Sequence, residues 1–324
     1  MGGGQKLDAP THHHRLDNSG SKMTKLKLAG RIVDVSGDLE DPYFRAIAEV
    51  AEGFSALEAW GRASLPHNAV VIDAGGNIGI TALLLSGLVP DGHVHVFEAL
   101  PANARHLRRN LEANGVVNCT VNAVALGHQT GAIAMQGTGS SSHVMGEAAT
   151  ARNGTIPMTT LDDYVATAGL QRLDFIKMDV EGFEPAVLQG AAATIERFRP
   201  PILMEFNIWC LSFVQRFDAR NFGYALWNAF DVLKIDGGGG ERLAAEGDAY
   251  RFLHDNVVRH GSVEDILLRL RAGARVPAMG AIAPAPTSSE DRSEIDRLRM
   301  ELAAMHRSTS WQATAPLRRL FQGG

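Results

Sequence analysis

The sequence predicts an α/β fold, a mostly parallel central sheet with helices on both faces, from three observations. Short continuous apolar runs alternate with longer segments of helical periodicity over residues 69–206. Two of these runs end in an acid, Asp73 and Asp179. A glycine-rich turn, Gly75-Gly76-Asn77-Ile78-Gly79, follows the first run and opens a helix. With 324 residues, 45% of them hydrophobic, the chain has enough apolar mass for one large domain with appendages.

Residues 1–21, rich in Gly and His with His12, His13 and His14 in a row, read as a disordered leader. Residues 22–65 read as a cover packed on the main domain. They hold a short strand at 31–35 and one helix at 42–62, whose Phe44, Ile47, Ala48, Ala51, Phe54, Leu57 and Trp60 recur at helical spacing.

The main domain is expected over 66–275. Residues 69–73 form its first strand and 78–88 a helix stopped by Pro90-Asp91-Gly92. Residues 93–98 are the second strand. A helix over 101–114 starts at Pro101 and ends at Asn114-Gly115, and 119–124 is the third strand. The Gly-, Ser- and Thr-rich stretch 127–157 predicts a hairpin and a mobile loop. A short helix at 160–168, a strand at 173–179, a helix at 184–198 and a strand at 201–206 resume the alternation.

Farther on, 232–235 and 250–253 read as late strands, Gly237-Gly238-Gly239-Gly240 as a turn, and 263–270 as a last helix. The Ala- and Pro-rich residues 276–289 read as a linker, and 290–324 as an amphipathic helical tail. In that tail Ile295, Leu298, Leu302 and Met305 are spaced by three and four, a face for self-association or for a partner helix.

The formal net charge of −5 gives no sign of nucleic acid as a bulk partner, while leaving room for a local basic site for an anionic substrate. The sequence shows no signal-peptide pattern and no apolar run long enough to span a membrane. Its two cysteines, Cys119 and Cys210, are far apart and suit reduced thiols. Together these predict a cytoplasmic protein.

The turn at 75–79 is the most informative stretch. A pyrophosphate cradle needs glycines at positions 1, 3 and 6; here they stand at 1, 2 and 5, with Asn77 third. Asp73 would repel a pyrophosphate but suits a cationic group such as the ammonium of a methionine moiety. Glu98, at the end of the second strand, can accept both hydroxyls of an adenosine ribose.

The runs Ile72-Asp73-Ala74-Gly75-Gly76-Asn77-Ile78-Gly79, Thr160-Leu161-Asp162-Asp163 and Asp174-Phe175-Ile176-Lys177-Met178-Asp179-Val180-Glu181-Gly182-Phe183-Glu184 resemble the FkbM family of methyltransferases. The resemblance covers residues 70–207. It implies a Rossmann-like class I methyltransferase fold, S-adenosylmethionine as methyl donor, and oxygen as the usual acceptor. It carries Asp73, Gly75, Asn77 and Glu98 over as cofactor contacts; the turn itself adds Gly76 and Gly79. The family's acceptors are diverse. The tail run Ser308-Thr309-Ser310-Trp311-Gln312 resembles endings of bacterial glycan-assembly enzymes and tilts the expectation towards a sugar hydroxyl on a glycan or glycosylated metabolite.

A sugar hydroxyl needs a positioned base or a metal to become a nucleophile. Asp179 and Glu181 follow the apolar strand residues 173–178 and are the candidates, with Lys177 on the same side of the chain as Asp179. Glu205 and Asn207, at the next strand end, can join Asp179 in holding a divalent ion, most simply Mg²⁺. Glu184 reads as a helix-start acid, and His143 as a loop histidine or a base on a lid. Two other readings stand: a non-catalytic cofactor-binding scaffold in a glycan-assembly complex, and an NAD-dependent oxidoreductase. The second lacks a Tyr-x-x-x-Lys pair, since Ala168 stands four after Tyr164.

Overall fold

A computed structural model describes residues 15–16, 22–28, 30–136, 143–144, 155–215, 217–245 and 249–278. The expected histidine leader up to residue 14 and the C-terminal helix lie outside the described residues, as does most of the linker. The chain has the predicted α/β, Rossmann-like class of fold, and its contacts divide it into two compact units.

The first unit is Met1–Ala123 with the turn Asp236–Gly240. Strands β1 (Arg15–Leu16), β2 (Lys22–Leu28) and β3 (Arg31–Gly37) form an antiparallel sheet. Arg15 and Leu16, expected in the leader, pair with Met23 and Lys22. The single helix expected at 42–62 is instead three: α1 (Pro42–Arg45), α2 (Ile47–Gly53) and α3 (Ser55–Ser64). The breaks fall at Ala46 (ψ 14°) and Phe54 (ψ 6°), outside helical geometry. The second follows Gly53, a weak helix former, so the apolar spacing survived while the axis turned. Parallel strands β4 (Val70–Ala74), β5 (His93–Phe97) and β6 (Cys119–Asn122) alternate with α4 (Ile80–Leu88) and α5 (Pro101–Ala113). Trp60, Val71, Ile72, Leu84, Leu85 and Val96 are fully buried here.

Two asparagines, Asn110 in α5 and Asn114 at its C-terminal cap, fasten β3 to that helix. Asn110 Oδ1 accepts from the Ser36 amide and hydroxyl, and its Nδ2 donates to the carbonyls of Ser36 and Ile78. One turn later Asn114 exchanges the same pair of bonds with the backbone of Asp34. The amide side chains stand in for a neighbouring strand and satisfy backbone groups that burial would otherwise leave unpaired.

The second unit holds Val124–Gly137, Ser142–Ile235 and the chain from Glu241. The expected hairpin exists: β7 (Ala125–Leu126), β8 (Gly131–Gln136), β9 (His143–Val144) and β10 (Thr155–Thr159) form a sheet in the order β7-β10-β8-β9. The backbone of His143, expected in a loop, pairs with Gln136. Helix α6 (Leu161–Ala168) is capped by the Thr160 hydroxyl. Then come β11 (Phe175–Met178), α7 (Glu184–Gly190), α8 (Ala192–Phe198) and β12 (Ile202–Asn207), parallel to β11.

A π-helical turn (Cys210–Val214), α9 (Ala219–Ala229), β13 (Phe230–Ile235), β14 (Glu241–Leu243), α10 (Ala249–Arg259) and β15 (Val263–Leu270) complete the unit. Strand β15 lies between β12 and β13, antiparallel to both.

Two expectations fail at this end. Residues 250–253 belong to a helix, because the buried Ala249, Phe252 and Asn256 recur every three to four residues. Residues 263–270 are a strand. Ile266, Leu267 and Leu268 are all fully buried in succession, as befits a strand covered on both faces, and periodicity alone does not separate that from a buried helix. Phe206 anchors the packing, its ring 5.9 Å from Phe222 and 5.0 Å from Phe252.

Candidate functional site

In the first unit the turn after β4 is built by its glycines. Gly75 (φ 86°), Asn77 (φ 47°) and Gly79 (φ 98°) all take left-handed backbone, which glycine adopts freely and asparagine better than most residues. The amides of Gly75 and Gly76 both donate to the Phe97 carbonyl at 2.9 Å, tying the turn to the end of β5. Gly76 has no room for a side chain: a Cβ there would lie 2.3 Å from Val96 Cγ1 and 2.9 Å from Leu107 Cδ1.

The acids that flank the turn are fixed. Asp73 is wholly buried and accepts from the Thr81 hydroxyl of α4 at 2.8 Å. Glu98, just past β5 and 7% exposed, accepts the Asn77 amide on Oε2 and the Leu100 amide on Oε1, each at 2.8 Å. Asn77 in turn accepts from Asn103 Nδ2 at 2.9 Å. The structure therefore brings Asp73, Gly75, Gly76, Asn77, Gly79 and Glu98 into one constellation at the carboxyl ends of β4 and β5, where ligands bind in open α/β sheets.

In the second unit Lys177, within β11, is almost buried, and its Nζ lies 3.0 Å from Asp179 Oδ2. Beyond the strand, Glu181 (φ 56°) and Gly182 (φ 90°) turn the chain into α7. Burial, then the charge of Asp179, raises the Glu181 carboxyl to about 6, against lowering by the Cys210 thiol and Lys177. Glu184, fully buried at the start of α7, accepts the amides of Val180 and Gly182 on Oε1. The helix-start reading of Glu184 thus matches its contacts, and burial lifts it to about 8. Burial first, then Asp179, Glu184 and Glu181, raises Glu205 to about 9, so at neutral pH it carries its proton. Its Oε2 accepts from Asn207 Nδ2 at 3.2 Å.

The expected acids Asp179, Glu181 and Glu205 are thus brought together, with Lys177 beside the first. Support for Mg²⁺ is lacking. Among the described residues no group of three or more His, Cys, Asp or Glu could hold a metal ion.

The sequence pattern of the methyltransferase FkbM domain matches residues 73–226, from the acid of β4 into α9. Residues 73–226 are thus similar to FkbM methyltransferase domains. A curated relative, Methyltransferase 1 of Beauveria bassiana (strain ARSEF 2860), is 25% identical over 150 residues. The match covers 40% of this chain and 60% of the fungal protein, less than two thirds of its length. Among solved structures, methyltransferase FkbM from Methylobacillus flagellatus KT is 18% identical, covering 63% of this chain and 44% of that one, with a TM-score of 0.39. The O-methyltransferase TomG from Streptomyces achromogenes is 13% identical over 68% of this chain and 79% of its own, also with a TM-score of 0.39.

All but one element around these acids and the glycine turn overlap the matched residues. The exception is β15, whose Asp265 stands opposite Glu205 in the antiparallel register. Asp265 is hidden in the sequence because 263–270 reads there as a helix, which conceals strand register. Thr81, Asn103 and Cys210 are hidden there too. Each is an ordinary polar or small residue whose partner is distant in sequence, and only Thr81, in the first turn of the helix after the glycines, stands where a partner for Asp73 could be sought. Both cysteines are free, as expected, and burial pushes the Cys119 thiol up to about 12. No helix among the described residues is long and apolar enough to cross a membrane.

Proposed function

We propose that the protein is an S-adenosylmethionine-dependent methyltransferase that methylates an oxygen, with a sugar hydroxyl of a glycan or glycosylated metabolite as acceptor. The observation that carries the cofactor reading is the orientation of Glu98. Two backbone amides aim its carboxylate at the end of β5 beside the glycine turn, the position from which a carboxylate engages a ribose diol. Gly75 and Asn77 line the approach for the methionine portion. Asp73, held on one oxygen by Thr81, serves the ammonium of that portion directly or through water, with Gly76 and Gly79 shaping the turn around it. The FkbM domain match supports the same cofactor.

For the chemistry, the acceptor oxygen attacks the methyl carbon in line, the carbon–sulfonium bond breaks to leave S-adenosylhomocysteine, and the hydroxyl proton passes to a base. Glu181 is the best base: a carboxylate raised to about 6 is ionised at neutral pH yet holds a proton better than an ordinary one. Asp179, paired with Lys177, fixes the charge beside it. The sugar acceptor rests on the tail's resemblance to glycan-assembly enzymes, and a cytoplasmic location on two cysteines that suit reduced thiols. The expected divisions, with a cover at 22–65, a catalytic domain at 66–275 and a tail offering a face for self-association, belong to the same proposal.

Calorimetric titration with S-adenosylhomocysteine and with NAD⁺, on the wild type and Glu98→Ala, tests the cofactor reading. Homocysteine-cofactor binding that weakens more than tenfold in the variant, with no NAD⁺ heat, is expected. NAD⁺ binding, or an unaffected variant, overturns it.

A further inference from the structure

The proposed base has a neighbour that neither the FkbM match nor its motif accounts for. Cys210 Sγ lies 3.4 Å from Glu181 Oε2, within reach of a thiol hydrogen bond, and the residue is 8% exposed. Burial and the charge of Glu181 hold the thiol far above its ordinary range, so it stays an S–H. Beside a carboxylate that accepts, it donates.

The backbone is shaped to bring the two together. Cys210 opens the π-helical turn, in which the Gln215 amide donates to the Cys210 carbonyl at 2.9 Å. Such turns are rare and recur at functional sites. Asn207 holds the start of the turn: its Oδ1 accepts the Cys210 amide at 3.0 Å while its Nδ2 donates to Glu205. On the other side, a Cβ on Gly182 would lie 2.7 Å from the Cys210 carbonyl carbon and 2.8 Å from its oxygen. The bare glycine is what lets the turn approach. Glu181 itself holds a left-handed φ that a non-glycine residue keeps only when its surroundings impose it.

We infer that Cys210 is a positioning residue: the π-helical turn delivers its thiol to Glu181, and the S–H donor sets the direction in which that carboxylate faces. This rests on the proposal that Glu181 receives the acceptor's proton. A thiol suits the task because it is a weak donor. It orients the carboxylate without stabilising the charged form so strongly that the base would be weakened.

The test is infrared spectroscopy of the S–H stretch in the full chain, with the Cys210 band identified by its loss in Cys210→Ser. Removing the carboxylate with Glu181→Gly, a substitution the positive φ favours, should move the band to higher frequency, the position of a thiol without an acceptor. Glu181→Gln, which keeps an acceptor oxygen, should leave it between that position and the wild-type one. A band that stays put in Glu181→Gly overturns the inference, as does Gln behaving like Gly. Should either variant misfold, carboxylate labelling with ¹³C at pH 8 offers a second route. The Glu181 resonance should shift in Cys210→Ala and return towards the wild-type position in Cys210→Ser; equal shifts in both overturn the inference. None of these readouts needs a cofactor. Failure to bind S-adenosylhomocysteine in the same samples would therefore sink the methyltransferase reading while leaving the thiol contact standing.

Discussion

Replacing Glu205 by Gln should stabilise the protein more at pH 8 than at pH 5.5. Burial and three neighbouring carboxylates raise Glu205 to about 9 from an ordinary value of 4.5. The folded state therefore holds a proton that the unfolded state releases. Stability from this group is complete below 4.5 and is lost as pH rises from there towards 9. Each pH unit inside that window is worth about 1.4 kcal/mol for a lone group, so the interval from 5.5 to 8 contributes about 3 kcal/mol at most. Because Asp179, Glu181 and Glu184 share the field, the proton belongs partly to the cluster, and about 1–3 kcal/mol is the expected range. Glutamine keeps the shape and the contact with Asn207 but has nothing to ionise, so this pH-dependent loss disappears with it. Urea unfolding followed by circular dichroism at both pH values gives the difference directly. A Glu205→Gln effect of the same size at pH 5.5 and 8 would refute the argument that Glu205 is neutral in the folded protein.

Four further outcomes are expected. His95, lowered to about 4 by burial and then by His93, makes stability fall as pH drops from 6.5 towards 4; His95→Gln should remove about 2–3 kcal/mol of the loss between pH 7 and 4.5 in urea unfolding. Gly182→Ala should destabilise by about 2–3 kcal/mol, because it meets the Cys210 backbone and a left-handed φ, whereas Gly237→Ala, with nothing within 4 Å, should leave the thermal midpoint nearly unchanged. Asn110→Ala should destabilise by about 3 kcal/mol, since it strands buried backbone groups of Ser36 and Ile78; a loss within experimental error would mean that water replaces the amide. Asp179→Ala should lower methyl transfer to a sugar acceptor while leaving S-adenosylhomocysteine affinity nearly intact, and equal loss of both would assign Asp179 to the fold.

What the sequence revealed tracks how local each signal is. The glycine turn was legible because strand, turn and helix are contiguous and each glycine there has a backbone or packing reason. Lys177 and Asp179 were legible because strand alternation alone places them on one side. The exchange of α10 for a strand and of β15 for a helix came from short apolar windows in which the two periods coincide. Only pairing with β12 and β13, set by residues far along the chain, decides β15. The Cys210 contact was illegible for the same reason. It depends on a helical turn with an extra residue, a pattern with no compositional signature, and on a glycine that the motif already explained.

Helix α5 serves two clients at once. Leu107 packs under the glycine turn, where a Cβ on Gly79 would stand 3.2 Å from its Cγ. Asn110 and Asn114, one and two turns on, carry the β3 strand. A single residue inserted between Leu107 and Asn110 would rotate these two faces by about 100° relative to each other, and no adjustment of either client could follow. Length variation among descendants of this chain should therefore be barred from the middle of α5 and accumulate in the loops on either side of it, so that a count of residues between Leu107 and Asn110 becomes a fixed measure against which the drifting remainder can be aligned.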